Sequence, residues 1–151
     1  MASQVYNQFK KYIADGTIDL DSNNIWVALV MTNTTVDTEN DGIEHIGDFT
    51  TLDECDGANY VRKALASKAV TVNDANDRAE FDAADVTWSS LGNGTRAIQG
   101  VLVYVDSDND GASADDATND VIAYVEFTST VNPGGGDFTI QWHANGLLLL
   151  T

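Results

Sequence analysis

The sequence predicts a mainly β protein: an antiparallel β-sandwich or jelly-roll-like domain with one short N-terminal helix. Apolar and polar residues alternate from Ala69 to Trp88 on both sides of a turn-forming cluster at residues 73–77, a pattern typical of a half-buried antiparallel hairpin. A near-continuous apolar run at residues 25–31 indicates a strand buried on both faces. Most later periodic segments are short and strand-like, so we take the hairpin as the organising element.

Residues 1–16 are predicted to form an N-terminal helix of about three turns. Ser3 is the candidate N-cap, and Gly16 is the candidate C-terminal stop. Apolar residues recur between them at helical spacing, at Val5, Phe9, Tyr12 and Ile13.

Further strands are predicted at residues 97–105, 121–127 and 138–142, and the chain ends in a run of leucines at 147–150. We expect about seven or eight strands in all. A chain of 151 residues suits one domain spanning residues 1–151, with a core of useful size.

Two segments are strongly acidic and contain no lysine or arginine, residues 32–57 and 106–119. We interpret the first as a long surface excursion with one helical turn, and the second as an acidic loop between two strands. Four apolar residues could anchor the excursion: Ile43, Ile46, Phe49 and Leu52.

The charge of the chain limits its partners. Asp and Glu number 24 against 7 Lys and Arg, giving a formal charge of −17. Such a surface repels phosphate backbones and anionic lipids, which argues against nucleic acid and membranes as partners. Salt screens the self-repulsion, so a halophilic or marine source explains the charge, and an ordinary acidic surface protein remains the alternative.

Cys55 is the only cysteine, so an intrachain disulfide is impossible. The first residues lack the pattern of a cleaved signal, and no apolar run reaches the roughly 20 residues of a membrane span. We therefore expect a soluble protein that is not exported by a cleaved signal.

The best local motif is an aspartate-rich stretch that matches the front half of a calcium loop. Ala117 stands where the loop should supply a bidentate Glu, and the flanking strands exclude an EF-hand. The main-chain carbonyl of Ala112 could add an oxygen. The candidate ligands for calcium, the one cofactor suggested, are Asp106, Asp108, Asp110, Asp115 and Asp116. A merely solvated acidic loop remains the alternative.

No catalytic residues are predicted, and we expect the protein not to be an enzyme. His45 and His143 are the only histidines, and neither has a partner at zinc-ligand spacing with Cys55. The sequence contains no nucleophile elbow and no phosphate-binding glycine loop. The tryptophans lie in strand patterns typical of core or interface residues.

Several motifs together resemble a family of small virion structural proteins of tailed viruses of bacteria and archaea. The likeness covers most of the chain except residues 32–57. The motifs are Tyr6-Asn7-x-Phe9-Lys10-Lys11, residues 15–21 before a strand, residues 70–83 followed by Val86-Thr87-Trp88, the strand at 122–127, and residues 136–142 before Asn145-Gly146 and the leucines.

The resemblance implies a non-enzymatic capsid decoration or cement protein that stabilises the head of a tailed virus. It implies the major capsid protein and copies of itself as partners, with a homotrimer expected. The protein would be made in the host cytoplasm and reside on the capsid surface of the virion. A tail or neck component is one alternative, and a calcium- or carbohydrate-binding β module is the other.

Overall fold

The computed structural model describes residues 3–151 and confirms a mainly β, antiparallel, sandwich-like fold with one short N-terminal helix. The described chain forms three sheets, with strand orders β1-β8-β7-β2-β3, β10-β5-β4 and β6-β9. The elements are β1 (Gln4–Val5), α1 (Asn7–Asp15), β2 (Ile25–Met31), β3 (Lys63–Ala64), β4 (Ala69–Asn73), β5 (Arg78–Asp82), β6 (Val86–Leu91), β7 (Ile98–Val105), β8 (Val121–Val131), β9 (Gly136–Ile140) and β10 (Leu148–Leu150).

The five-stranded sheet is the centre of the molecule, and its two faces contact two different cores. Val27 and Leu29 of β2 lie in one core, whereas Ala28 and Val30 lie in the other. Successive side chains of a strand point to opposite faces, so a strand covered on both sides needs apolar residues at every position. This requirement explains the apolar run at residues 25–31, where β2 has the predicted bounds.

The first core lies between this sheet, α1 and the two smaller sheets. Phe9 of α1, Phe81 of β5 and Trp88 of β6 are almost fully buried in it. The second core lies under residues 32–57. In this segment the side chains of Val36 and Ile46 are buried against β2, β7 and β8. This segment is therefore a covering layer of the sheet as well as an acidic surface.

Three of the four predicted anchors in this layer, Ile43, Ile46 and Phe49, are buried, and Leu52 is partly buried. A 3-10 turn at Ile46–Asp48 supplies helical structure in the segment. Val36 is fully buried and was not among the predicted anchors.

The start of the helix differs from the prediction. Val5 belongs to β1 and pairs with Ala123, and α1 begins only at Asn7. Ser3 is not the N-cap, because its hydroxyl accepts the backbone N–H of Glu126 at 3.0 Å. Extended backbone at residues 4–5 adds a short edge strand to β8, which outweighs the helical spacing of Val5. Gly16 ends the helix in the left-handed conformation, with φ of 77°.

The predicted hairpin forms, but it lies at an edge of the fold. β4 and β5 pair antiparallel around a 3-10 turn at Asp74–Asn76, with Val70 opposite Phe81 and Val72 opposite Ala79. Phe81 reaches the first core, whereas Val70 is 41% exposed and Val72 is 76% exposed. The organising element of the domain is the five-stranded sheet rather than this hairpin. No helix within residues 3–151 is long and apolar enough to cross a membrane.

Candidate functional site

The two acidic segments, which are far apart in sequence, form one continuous surface. The N–H of Ile46 donates to the carbonyl of Asn119 at 3.0 Å, and the N–H of Gly47 donates to the carbonyl of Asp116 at 2.7 Å. The N–H of Val121 donates to the carbonyl of Glu44 at 3.0 Å. We call residues 32–57 and 106–120 together the acidic surface.

The buried side chain of Arg62 links the two segments of this surface. Its side chain is only 3% exposed and forms a two-pronged contact with Glu54, from Nε at 2.8 Å and Nη2 at 2.7 Å. The same guanidinium binds both carboxylate oxygens of Asp116, at 2.5 Å and 3.0 Å. One cation thus joins the two acidic segments to the chain before β3, and its planar fork suits this double recognition.

Aromatic groups complete the environment of Arg62. The guanidinium lies 5.4 Å from the ring centroid of Tyr104. The Tyr60 hydroxyl donates to Glu54 at 2.7 Å and accepts the N–H of Leu29 at 3.1 Å. Burial alone would lower the pKa of Arg62, but the hydrogen bonds that it donates to Glu54 and Asp116 raise it above its usual value. The arginine is therefore a permanent charge with a structural role.

The predicted calcium loop is held by its own first aspartate. Asp106 is 1% exposed, and its carboxylate oxygens accept the N–H groups of Asp110 and Gly111, each at 3.1 Å. Trp26 donates from Nε1 to Asn109 at 2.9 Å, and its ring lies so close to Gly111 that a β-carbon there would be 2.3 Å away. Backbone donors and an aromatic ring thus fix the turn.

The five aspartates proposed as calcium ligands do not converge. Within the described residues, no three of them have carboxylate oxygens within 4.8 Å of one another. Asp116 binds Arg62, and Asp106 accepts the loop N–H groups. Asp108 and Asp110 are exposed. Partial burial and then the neighbouring aspartates, Asp108 first, raise the pKa of Asp115. In this structure, therefore, neither Asp115 nor Asp116 folds back to join the other three aspartates around one point.

A different group of possible metal ligands does form on the acidic surface. Glu44, His45 and Asp120 bring one ligand atom each to within 4.8 Å of one another, the only such group of three in residues 3–151. His45 Nδ1 lies 3.0 Å from Asp120 Oδ1, and the Tyr12 hydroxyl donates to Glu44. Burial raises the pKa of Asp120, while His45 acts in the opposite direction. One imidazole and two carboxylates are a donor set that Zn²⁺ accepts.

Sequence reasoning missed both the Arg62 cluster and the Glu44–His45–Asp120 group. The partners of Arg62 are 8 and 54 residues away, and Asp120 lies 75 residues after His45, so spacing carries no signal. One signal was present: Arg62 follows an acidic segment that contains no lysine or arginine.

Some large apolar side chains are exposed to solvent. The large apolar side chains that are most exposed in the described chain are Val61, Val70, Val72 and Leu149. Three of these residues lie on β4 and β10, the two outer strands of one sheet. A groove of about 250 Å³ lies between α1 and β10, lined by Phe9, Lys10, Ile13 and residues 148–150 among others.

Comparison of the chain with protein-family models, with curated proteins and with solved structures finds no match. The proposed function therefore rests on the acidic surface, the groove between α1 and β10, and the sequence resemblance.

Proposed function

We propose that the protein is a non-enzymatic structural component of a tailed-virus particle, a decoration or cement protein that binds and stabilises the capsid. Its host would be halophilic or marine, since a charge of −17 is best tolerated at high salt. The observation that carries the proposal is the apolar face at α1 and β10, which lies on a domain that is otherwise strongly acidic.

This face fits a protein partner. Leu149 is 43% exposed on β10, beside the groove that Phe9, Ile13 and Leu150 line. Apolar side chains exposed together on a soluble domain mark an interaction site more often than isolated ones do. A capsid subunit that inserts an apolar side chain there would bury Leu149 and leave the acidic surface facing water.

The arrangement of the charged groups supports a structural role. Arg62 joins Glu54 to Asp116, and Arg96 binds Asp53 through Nε at 3.0 Å. These pairs fix the long segment 32–57 on the sheet. A cement protein gains from such rigidity, because ordering a loop during binding would cost conformational entropy.

Binding to particles tests the proposal directly. Purified protein should bind capsids that lack it, and Leu149→Asp should abolish this binding while the variant keeps the circular dichroism spectrum of the wild type. Val61→Asp is the matched control, because Val61 is 60% exposed but lies outside the α1–β10 groove. Equal binding by wild type and Leu149→Asp would contradict the assignment of this face.

The copy number separates the capsid from the tail or neck. Quantitative mass spectrometry of particles from the virus that encodes this chain should give a copy number comparable with that of the major capsid protein. A handful of copies would favour the tail or neck alternative, and complete absence would exclude a virion role.

A cation-binding β module is a second candidate, favoured by the Glu44–His45–Asp120 group. Calorimetric titration with Zn²⁺ and Ca²⁺ should show saturable heat that Asp120→Asn removes. Asp108→Ala, which changes the loop first expected to bind calcium, is the matched control. Heat that disappears only in Asp108→Ala would return the cation to the aspartate loop.

A further inference from the structure

The edge strand β4 lacks a partner on its outer side. It is the last strand of the β10-β5-β4 sheet, and β5 is its only neighbour in the described chain. The carbonyl of Phe81 accepts the N–H of Leu147 and therefore faces β10. Because Val70 is opposite Phe81, strand alternation directs the N–H and C=O groups of Val70 and Val72 away from β5. These backbone groups form a free edge.

This edge has none of the usual protections against strand pairing. Natural edge strands carry inward charges, proline or a bulge, or are very short. β4 has five residues, Ala-Val-Thr-Val-Asn, with no charge, and its pairing with β5 is regular. By contrast, the edge strands β1 and β3 have two residues each, and the β6–β9 ribbon has a register shift between Trp88 and Leu91.

The inner face of β4 also extends beyond the core. Val70 continues a row that begins with the buried residues Leu148 and Phe81. Val72 continues the row of Leu150 and Ala79, but its side chain has no cover. A groove of about 430 Å³, lined by Ile13, Val70 and Leu150 among others, opens beside this overhang. A further strand added to β4 would cover both valines.

We propose that β4 pairs antiparallel with β4 of a second copy of this chain, across a two-fold axis at Thr71. In this register Val70 of one copy lies opposite Val72 of the other, and the two residues exchange their free backbone hydrogen bonds. Four valines then form one apolar cluster on the inner face. The two three-stranded sheets become one six-stranded sheet.

Charge complementarity favours a second copy of this chain as the partner of β4, in the register just described. The pairing places Lys68 of each copy opposite Asp74 of the other, at the two ends of the paired strands. Residues 67–75, which contain β4 and its two ends, hold one base, Lys68, and one acid, Asp74, and so carry no net formal charge. The paired strands therefore add little to the repulsion between two chains that each carry −17.

The pairing has two-fold symmetry and is self-complementary. The homotrimer implied by the resemblance would need a head-to-tail contact, which β4 does not provide by pairing with itself. The inference concerns the free protein in solution and does not depend on the proposed function. Failure of capsid binding would therefore leave it intact.

Light scattering at about 2 M KCl, where the charges are screened, measures the oligomeric state. The expected mass is twice the 16.2 kDa of one chain. Val72→Lys should give a folded monomer with the circular dichroism spectrum of the wild type, because Val72 contacts solvent in the single chain. Val61→Lys is the control and should remain a dimer. A monomeric or trimeric wild type, or a dimeric Val72→Lys, would overturn the proposal.

Cysteine substitution tests the register. Thr71 would face its own copy across a pair without hydrogen bonds, where opposite Cα atoms are about 4.5 Å apart, a distance that a disulfide spans. Thr71→Cys should therefore form a covalent dimer on oxidation, whereas Thr128→Cys on the exposed part of β8 should not. Native Cys55 is buried and should not contribute. Equal cross-linking of the two variants would refute the Thr71 axis, and a strand donated by a different protein would leave both uncross-linked.

Discussion

Two strands, β7 in the central sheet and β4 in the edge sheet, show how differently one fold uses β-branched residues. Val103 of β7 is fully buried, whereas Val72 of β4 is largely exposed. β7 has a neighbour on each side and a core on each face, but β4 has one neighbour and extends past its core. Exposure thus depends on the position of a strand in its sheet, which alternation within the strand does not specify.

The difference extends to the charged groups. Arg62 is buried under the acidic surface and binds two carboxylates, while Arg78 of β5 binds only Glu80, at 2.7 Å. The central sheet with its cover should therefore respond strongly to single substitutions, and the hairpin should respond weakly. Four comparisons between the two regions test this expectation.

The largest effect is expected for Arg62→Ala. It leaves Glu54 and Asp116 facing each other without their shared cation, and breaking a buried ion pair in this way costs about 3–5 kcal/mol. Arg78→Ala in the hairpin should cost about 1 kcal/mol or less. Urea unfolding followed by tryptophan fluorescence measures both changes, and equal losses would contradict the contrast.

The second comparison uses the same substitution in both strands. Val103→Ala removes two methyl groups from a packed core and should cost about 2 kcal/mol, the sum of lost burial and a residual cavity. Val72→Ala should change the free energy of unfolding by less than about 0.5 kcal/mol when measured on the monomer. A large loss for Val72→Ala at low protein concentration would show that β4 is packed in the single chain.

The success of the sequence predictions follows the same contrast. β2 was located at its observed bounds because burial on both faces requires an uninterrupted apolar run, which local sequence displays. The β4–β5 hairpin was also found, since its turn residues and alternation are local. Its peripheral position was not, because the number of neighbours of a strand depends on distant parts of the chain.

The errors also have specific causes. Val5 has helical spacing to Phe9, yet a tertiary contact with β8 makes it a strand residue. The calcium loop at Asp106 to Gly111, by contrast, stays a prediction: aspartates both bind calcium and stabilise tight turns, and the Asp106 carboxylate accepts two backbone N–H groups of the loop. The Arg62 cluster joins residues 54, 62 and 116, which only the folded chain brings together.

The third comparison concerns salt. Between about 0.1 M and 2 M NaCl the melting temperature should rise by about 5 °C, because screening relieves repulsion within the acidic surface. Asp108→Asn, in that surface, should reduce this rise, whereas Asp77→Asn, beside Arg78 in the hairpin turn, should not. Sodium sulfate serves as a control for the separate effect of salts on apolar burial. A melting temperature that is constant in NaCl would remove the argument for a saline host.

The smallest effect is expected from acid titration of Asp53. Hydrogen bonds from Arg96, and to a lesser degree the N–H of Asn33, lower the pKa of this carboxyl below its usual value, although burial opposes them. A lowered folded-state pKa contributes stability that is present above the unfolded value of about 3.9 and is lost as the pH falls through the folded value. Asp53→Asn should therefore lose about 1 kcal/mol at pH 7 and show a shallower loss of stability below about pH 4.

In the hairpin, hydrogen bonds from Asn73 and then Arg78 lower the pKa of Glu80, so Glu80→Gln should act in the same direction. Its effect should be smaller because the Glu80 side chain is 14% exposed, against 4% for Asp53, so that water screens Glu80 more. Urea unfolding of the wild type and both variants at several pH values measures these slopes. A larger change for Glu80→Gln than for Asp53→Asn would reverse the ranking of the two regions.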